Sequence, residues 1–191
     1  MFIQAMQFLL DTLLGLVTLA FLLRFYLQLF GAPFHNPFSQ AVMAFTNFAV
    51  RPLRRILPAA GGLDTSTLLL AFLAQLILHI ATLWLHEFPM LVADGQAYAA
   101  LVGLAALGVV KSSIYIFLYA VLMLTILSWI NPHTPLAPLL DSLTRPLLRP
   151  LRKLMPQTGA IDLSPLVVFI IAELLLMLMV APLEHQLLRL F

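Results

Sequence analysis

Cysteine is absent from the 191 residues, which excludes disulfides, thiolate catalysis and cysteine-based metal sites outright. Charge is almost as scarce. Asp, Glu, Lys and Arg make up 9% of the chain against 62% hydrophobic residues, and the mean hydropathy is +1.04. A water-soluble domain of this size could not cover its surface with so few polar groups, so the solvent of this chain is largely lipid. Also missing are a Gly-rich phosphate loop, a nucleophile elbow and a helix-borne His-Glu-x-x-His. The five histidines are scattered; His35 and His133 each stand beside a proline-bearing helix start, which suits loop geometry better than metal ligation. No catalytic residue, metal or cofactor is therefore expected.

What the chain does have is four apolar stretches of about the 20 residues that a helix needs to cross the hydrocarbon core: about 5–25, 68–85, 112–130 and 166–187. They are apolar on every side, unlike the alternating ten-residue segments of a membrane barrel. Residues 1–30 hold Asp11 and Arg24 and show no clear small-residue cleavage site, so they are read as a retained first helix. Between the second and third stretches, Asp94-Gly95-Gln96 interrupts the run 88–110. A separate crossing there would put the two basic segments of the chain on opposite faces, against the excess of Lys and Arg in cytoplasmic loops. Residues 97–110 are therefore expected to extend the third helix or to insert partly. The expected fold is an all-α membrane protein with four transmembrane helices in two parallel helix–amphipathic connector–helix repeats, both termini on the non-cytoplasmic side.

The repeat emerges when the chain is compared with itself at a shift of 98 residues. Arg51-Pro52-Leu53-Arg54-Arg55-Ile56-Leu57-Pro58 then meets Arg149-Pro150-Leu151-Arg152-Lys153-Leu154-Met155-Pro156 without a gap. Gly61, Asp64 and Ser66 likewise meet Gly159, Asp162 and Ser164. Two units follow, 1–96 and 97–191, with basic connectors at 36–66 and 134–164. Seven of the ten basic residues lie in those connectors: Arg51, Arg54, Arg55, Arg145, Arg149, Arg152 and Lys153.

In the first connector Phe38, Ala41, Val42, Phe45, Phe48 and Ala49 recur at helical spacing, with Ser39, Gln40 and Asn47 mostly off that face. In the second, Leu136, Leu139, Leu140, Leu143 and Leu147 form the stripe, and Asp141 is spaced to pair with Arg145. Asn36-Pro37 and Thr134-Pro135 are helix-start signals, while Pro52, Pro146 and Pro150 should kink or end the helices. Such a helix belongs in the membrane interface with its apolar face among acyl chains. The expected partners are anionic phospholipids, a membrane-protein partner or a second copy of the chain, with no direct contact to nucleic acid. The plainer reading is that the arginines only set orientation. Asp64 and Asp162 fall near the starts of the second and fourth spans, favourable places for negative charge, and each is also placed to fold back on an arginine of its own connector. Ser66 and Ser164 are the expected caps.

Ionisable groups inside spans are costly and raise a functional question by default. Here they are Asp11, Arg24, His79, Lys111 and Glu173, beside Gln75, the repeat counterpart of Glu173. Arg24 and Lys111 are long enough to snorkel. Counting helical rise puts Arg24 and Glu173 at similar depths, so an Arg24–Glu173 pair is expected.

Asn36-Pro37-Phe38-Ser39, the motif at 51–58, Gly61, Asp64, Ser128-Trp129 and Asp162-Leu163-Ser164-Pro165 together resemble the YggT family of bacterial inner-membrane proteins over almost the whole chain. The resemblance implies an inner-membrane location and no established enzymatic activity. It associates plastid relatives of the YlmG type with membrane-linked assembly and nucleoid organisation, and bacterial members with osmotic stress and division. The first functional expectation is a non-enzymatic scaffold or assembly factor acting through its connectors. The second is a small transport or channel component in ion or osmotic homeostasis, with Arg24, His79, Lys111 and Glu173 lining a path.

Overall fold

The computed structural model describes residues 1–57, 62–89, 94–154 and 162–191. The motif residues Pro58, Gly61, Pro156 and Gly159 lie outside them. Among the described residues four helices are long and apolar enough to span a membrane: α1 (Phe2–Leu29), α3 (Thr65–Leu85), α4 (Gly95–Ile130) and the fourth span, Ser164–Leu188. Two connector helices, α2 (Pro37–Arg54) and α5 (Ala137–Leu154), join them in pairs. Only about a fifth of each span is buried inside the protein, 17–22%, while Phe8, Leu13, Leu174, Met177 and many other large apolar side chains are exposed. That much apolar surface is stable only in lipid.

Gln96 and the residues after it continue the third span without a break. Asp94 accepts the Ala97 N–H at 2.9 Å and starts a single 36-residue helix, α4. At 1.5 Å per residue α4 runs about 54 Å, well beyond the hydrocarbon core of about 30 Å. Its first third is held by packing, with Ala97, Ala100, Leu101, Leu104 and Ala105 buried. The fourth span comprises α6 (Ser164–Leu175), a π-helical turn (Leu176–Val180) and α7 (Ala181–Leu188). Pro182 accounts for the turn: it offers no N–H to the Leu178 carbonyl, so the ladder widens just before it.

α4 is the shared wall of the bundle. One core joins Phe21 and Leu22 of α1, Ala71 of α3 and Ile116 of α4 beneath Val50 of α2. A second joins Leu27, Ala32 and Ala120 to Leu139 and Leu143 of α5, and a third joins Val121, Leu148 and Val168. Tyr26 meets Phe117 edge-on at 4.7 Å, fixing α1 to α4 near the connectors. α1 stops at Gly31, whose φ of +63° admits the left-handed turn in which Ala32 N–H reaches the Leu27 carbonyl at 2.9 Å.

Candidate functional site

Both connectors begin side by side. Asn36 accepts the Phe38 N–H at 2.9 Å with Pro37 in the first turn, as its sequence foretells, and its amide also donates to the Pro135 carbonyl at the head of the second connector. Thr134 does not cap: its buried hydroxyl has no hydrogen-bond partner among the described residues, and α5 starts three residues later, at Ala137. Ser66 and Ser164 do not cap either. Ser66 donates to the Leu57 carbonyl at 2.7 Å, while Asp162 accepts the Ser164 N–H at 2.9 Å. In α6 the Asp162 carboxylate takes the first free N–H, and in α3 the Ser66 hydroxyl is turned to a connector carbonyl.

The two connectors use their faces oppositely. α2 turns Ser39, Thr46 and Val50 inward and leaves Phe38, Phe45 and Phe48 exposed; the small polar side chains let it lie close against α1. α5 buries Leu139, Leu143 and Leu148 against the bundle. The apolar face expected among acyl chains is thus free in α2 and largely consumed in α5. Pro52, Pro146 and Pro150 lie inside their helices, which continue past them.

Three of the seven connector cations have acidic partners. Arg54 pairs with the fully buried carboxylate of Asp64 and donates to Gln28 at 2.8 Å, tying α1, α2 and α3 at one point. Arg152 pairs with Asp162 at 2.8 Å, the same contact 98 residues on, in a half-exposed setting. Arg145 pairs with Asp141 at 2.5 Å one turn away. Burial at the head of α6 acts to raise the Asp162 carboxyl, but hydrogen bonds from Ser164 and the Arg152 guanidinium outweigh it and hold it below its usual 3.8. Arg51, Arg55, Arg149 and Lys153 are exposed and have no ion pair among the described residues.

Arg24 neither snorkels nor meets Glu173. It is 7% exposed and donates to Thr46 at 2.7 Å and Asn47 at 3.0 Å, so it belongs to the docking of α2. Similar depth along two helices leaves the direction around each helix undetermined. In the second unit Leu122 and Arg145 replace Arg24 and Asn47, and α5 is held by leucines instead.

The other intramembrane polar groups gather on the side away from the connectors. A cavity of about 580 Å3 is lined by Asp11 of α1, Gln75 and His79 of α3, Lys111 and Tyr115 of α4, and Glu184 of α7. Lys111 contacts both carboxylate oxygens of Glu184, at 2.8 and 3.1 Å. Glu173 lines an adjoining cleft with Lys111 and Glu184. Glu184 was not singled out from the sequence, because it stands after Pro182 near the end of its span. The available signal was a helical stripe, Gln7, Asp11, Gly15 and Thr18 on α1 facing Gln75, His79 and Thr82 on α3.

Fold and surface together define a multi-pass α-helical membrane protein. Within that class, the chain belongs to the CCB3/YggT family, whose model matches residues 3–85 and 103–183. It is 39% identical over 175 residues to an uncharacterised protein of Pseudomonas aeruginosa, covering 91% of this chain and 87% of the relative. It is 33% identical over 170 residues to the uncharacterised protein YggT of Escherichia coli K12, covering 88% and 85%. A Vibrio alginolyticus protein is 32% identical over 170 residues, covering 87% of this chain and 89% of the relative. No solved structure matches significantly.

Proposed function

We propose that this protein is a non-enzymatic scaffold or assembly factor of the bacterial inner membrane, whose two connectors form one cytoplasmic platform for anionic phospholipid. The observation that supports it is the set of four exposed cations, Arg51, Arg55, Arg149 and Lys153, which have no ion pair among the described residues and stand on connectors that start in contact with each other. The excess of positive charge on this side supports a cytoplasmic placement. Each cation near an anionic surface contributes about 1 kcal/mol, so the four together supply about 4 kcal/mol. The exposed Phe38, Phe45 and Phe48 add an apolar anchor beside them.

The test is lipid selectivity. Spin-labelled phosphatidylglycerol should be enriched over phosphatidylcholine around the reconstituted wild-type protein, and the enrichment should fall toward unity when Arg51, Arg55, Arg149 and Lys153 are all changed to Gln. Equal selectivity in the two proteins rejects the platform. Removing Arg54 is the wrong experiment, because it breaks the clamp at Asp64.

The second reading, a transport or channel component in ion or osmotic homeostasis, draws support from the polar cavity. It requires solute or ion flux in reconstituted vesicles that is lost on changing Glu173 or Lys111.

A further inference from the structure

The cavity among α1, α3, α4 and α7 is deep and has a floor. Gln75 lies ten residues from either end of α3, about 15 Å from each, and so near mid-membrane. There its amide donates to Thr18 at 3.2 Å and lies against Gly108, where an added Cβ would stand 2.3 Å from the Gln75 oxygen. Phe21, Leu22, Ala71 and Ile116 fill the space beyond. The lining therefore runs from Gln7, Thr82 and Leu188 near the far end down to a closed polar floor, which is the shape of a binding pocket and not of a continuous pore.

Its charge is unbalanced. Lys111, the single ammonium of the lining, is engaged by both oxygens of Glu184. Asp11 has no ion pair among the described residues, and Glu173 adds a second unpaired carboxylate in the adjoining cleft. Asp11 and Glu173 are both exposed on membrane-spanning helices, so each carboxylate is open to a counter-charge arriving from outside the protein. A volume of about 580 Å3 is far larger than a bare ion needs and falls in the range of small-molecule pockets. Leu78, Leu104, Leu107 and the Tyr115 ring supply an apolar wall beside the acids.

We propose that this cavity binds a small protonated amine with a short apolar body, Asp11 serving as its counter-ion while the Lys111–Glu184 pair forms a fixed wall. A zwitterion or an anion is disfavoured because it would have to take Lys111 from Glu184. The proposal is independent of the connector platform, and binding does not require that the solute cross.

The experiment follows thermal unfolding of the full-length protein in lipid nanodiscs with n-butylammonium chloride, with NaCl and sodium butyrate at equal ionic strength as comparisons. Butylammonium at ten times its dissociation constant should raise Tm by about 3–6 °C in a saturable manner. Asp11→Asn should abolish that rise and Asp11→Glu should keep it. Gly15→Leu is the second variant, chosen because Gly15 lines the cavity with open space around its Cβ position. It should abolish the rise with every charge intact. The proposal is overturned if NaCl gives the same rise, if butyrate gives the larger one, if none saturates, or if the rise persists in a folded Asp11→Asn or Gly15→Leu protein.

Discussion

Two contacts separated by 98 residues test how environment sets the value of one chemical pair. Asp64 is sequestered, its side chain without exposure, and its partner Arg54 is about one-third exposed; Asp162 and Arg152 are both close to half exposed. Breaking a buried pair leaves an uncompensated charge, whereas an exposed pair is worth about 0–1 kcal/mol. Asp64→Asn should therefore destabilise by about 1–3 kcal/mol, discounted for the exposure of Arg54, and Asp162→Asn by less than about 1 kcal/mol. Thermal unfolding in matched nanodiscs measures both, and equal losses would contradict the difference in burial. The Asp162 carboxyl is held below 3.8 by its partners, so its contribution is complete above that pH. It is lost as the pH falls through the lower folded value, not at neutral pH.

At the scale of elements, the two connectors look alike in sequence and are held in unlike ways. Their basic motifs align without a gap, yet α2 is docked by Arg24 on Thr46 and Asn47, and α5 by buried leucines. The sequence could announce two amphipathic helices, since periodicity is local. It could not say which face would meet protein, because α1 offers α2 an arginine and α4 offers α5 an apolar wall. A nitroxide placed on α2 at Phe45 should consequently relax strongly with lipid-dissolved oxygen, and one on α5 at Leu143 should not. The absence of cysteine makes each such label unique. Leu143→Ala should cost about 2–5 kcal/mol, against less than about 0.5 kcal/mol for Phe45→Ala. High oxygen access at residue 143 would mean that α5 is not docked as described.

Across the whole molecule, four spans are legible because length and composition decide them, and of the two alternatives for residues 97–110, extension of the third helix or partial insertion, the structure shows a continuous helix. The polar cavity was only half legible. Asp11, Gln75, His79 and Lys111 announced themselves as polar groups in apolar runs, but their convergence with Glu184 depends on how four helices are rotated, which periodicity within one helix does not encode. The same rotation hid the true partner of Arg24. Orientation is the property that joins both candidate sites, since a cytoplasmic platform puts the cavity on the opposite side. Single cysteines at Gln40, Gln96 and Lys153, all exposed positions, allow a direct measurement with a membrane-impermeant maleimide. Ser39 and Ser142 are worse choices, since Ser39 is buried and Ser142 bonds to the Pro138 carbonyl. Residues 40 and 153 should be labelled only from the cytoplasmic face and residue 96 only from the other. The Asn36–Pro135 contact and the single 36-residue α4 put 40 and 153 on one face and 96 on the other; that the shared face is the cytoplasmic one is the proposal under test. Labelling of 40 and 153 from opposite faces is incompatible with two connectors that touch, and would remove the shared platform along with the parallel arrangement.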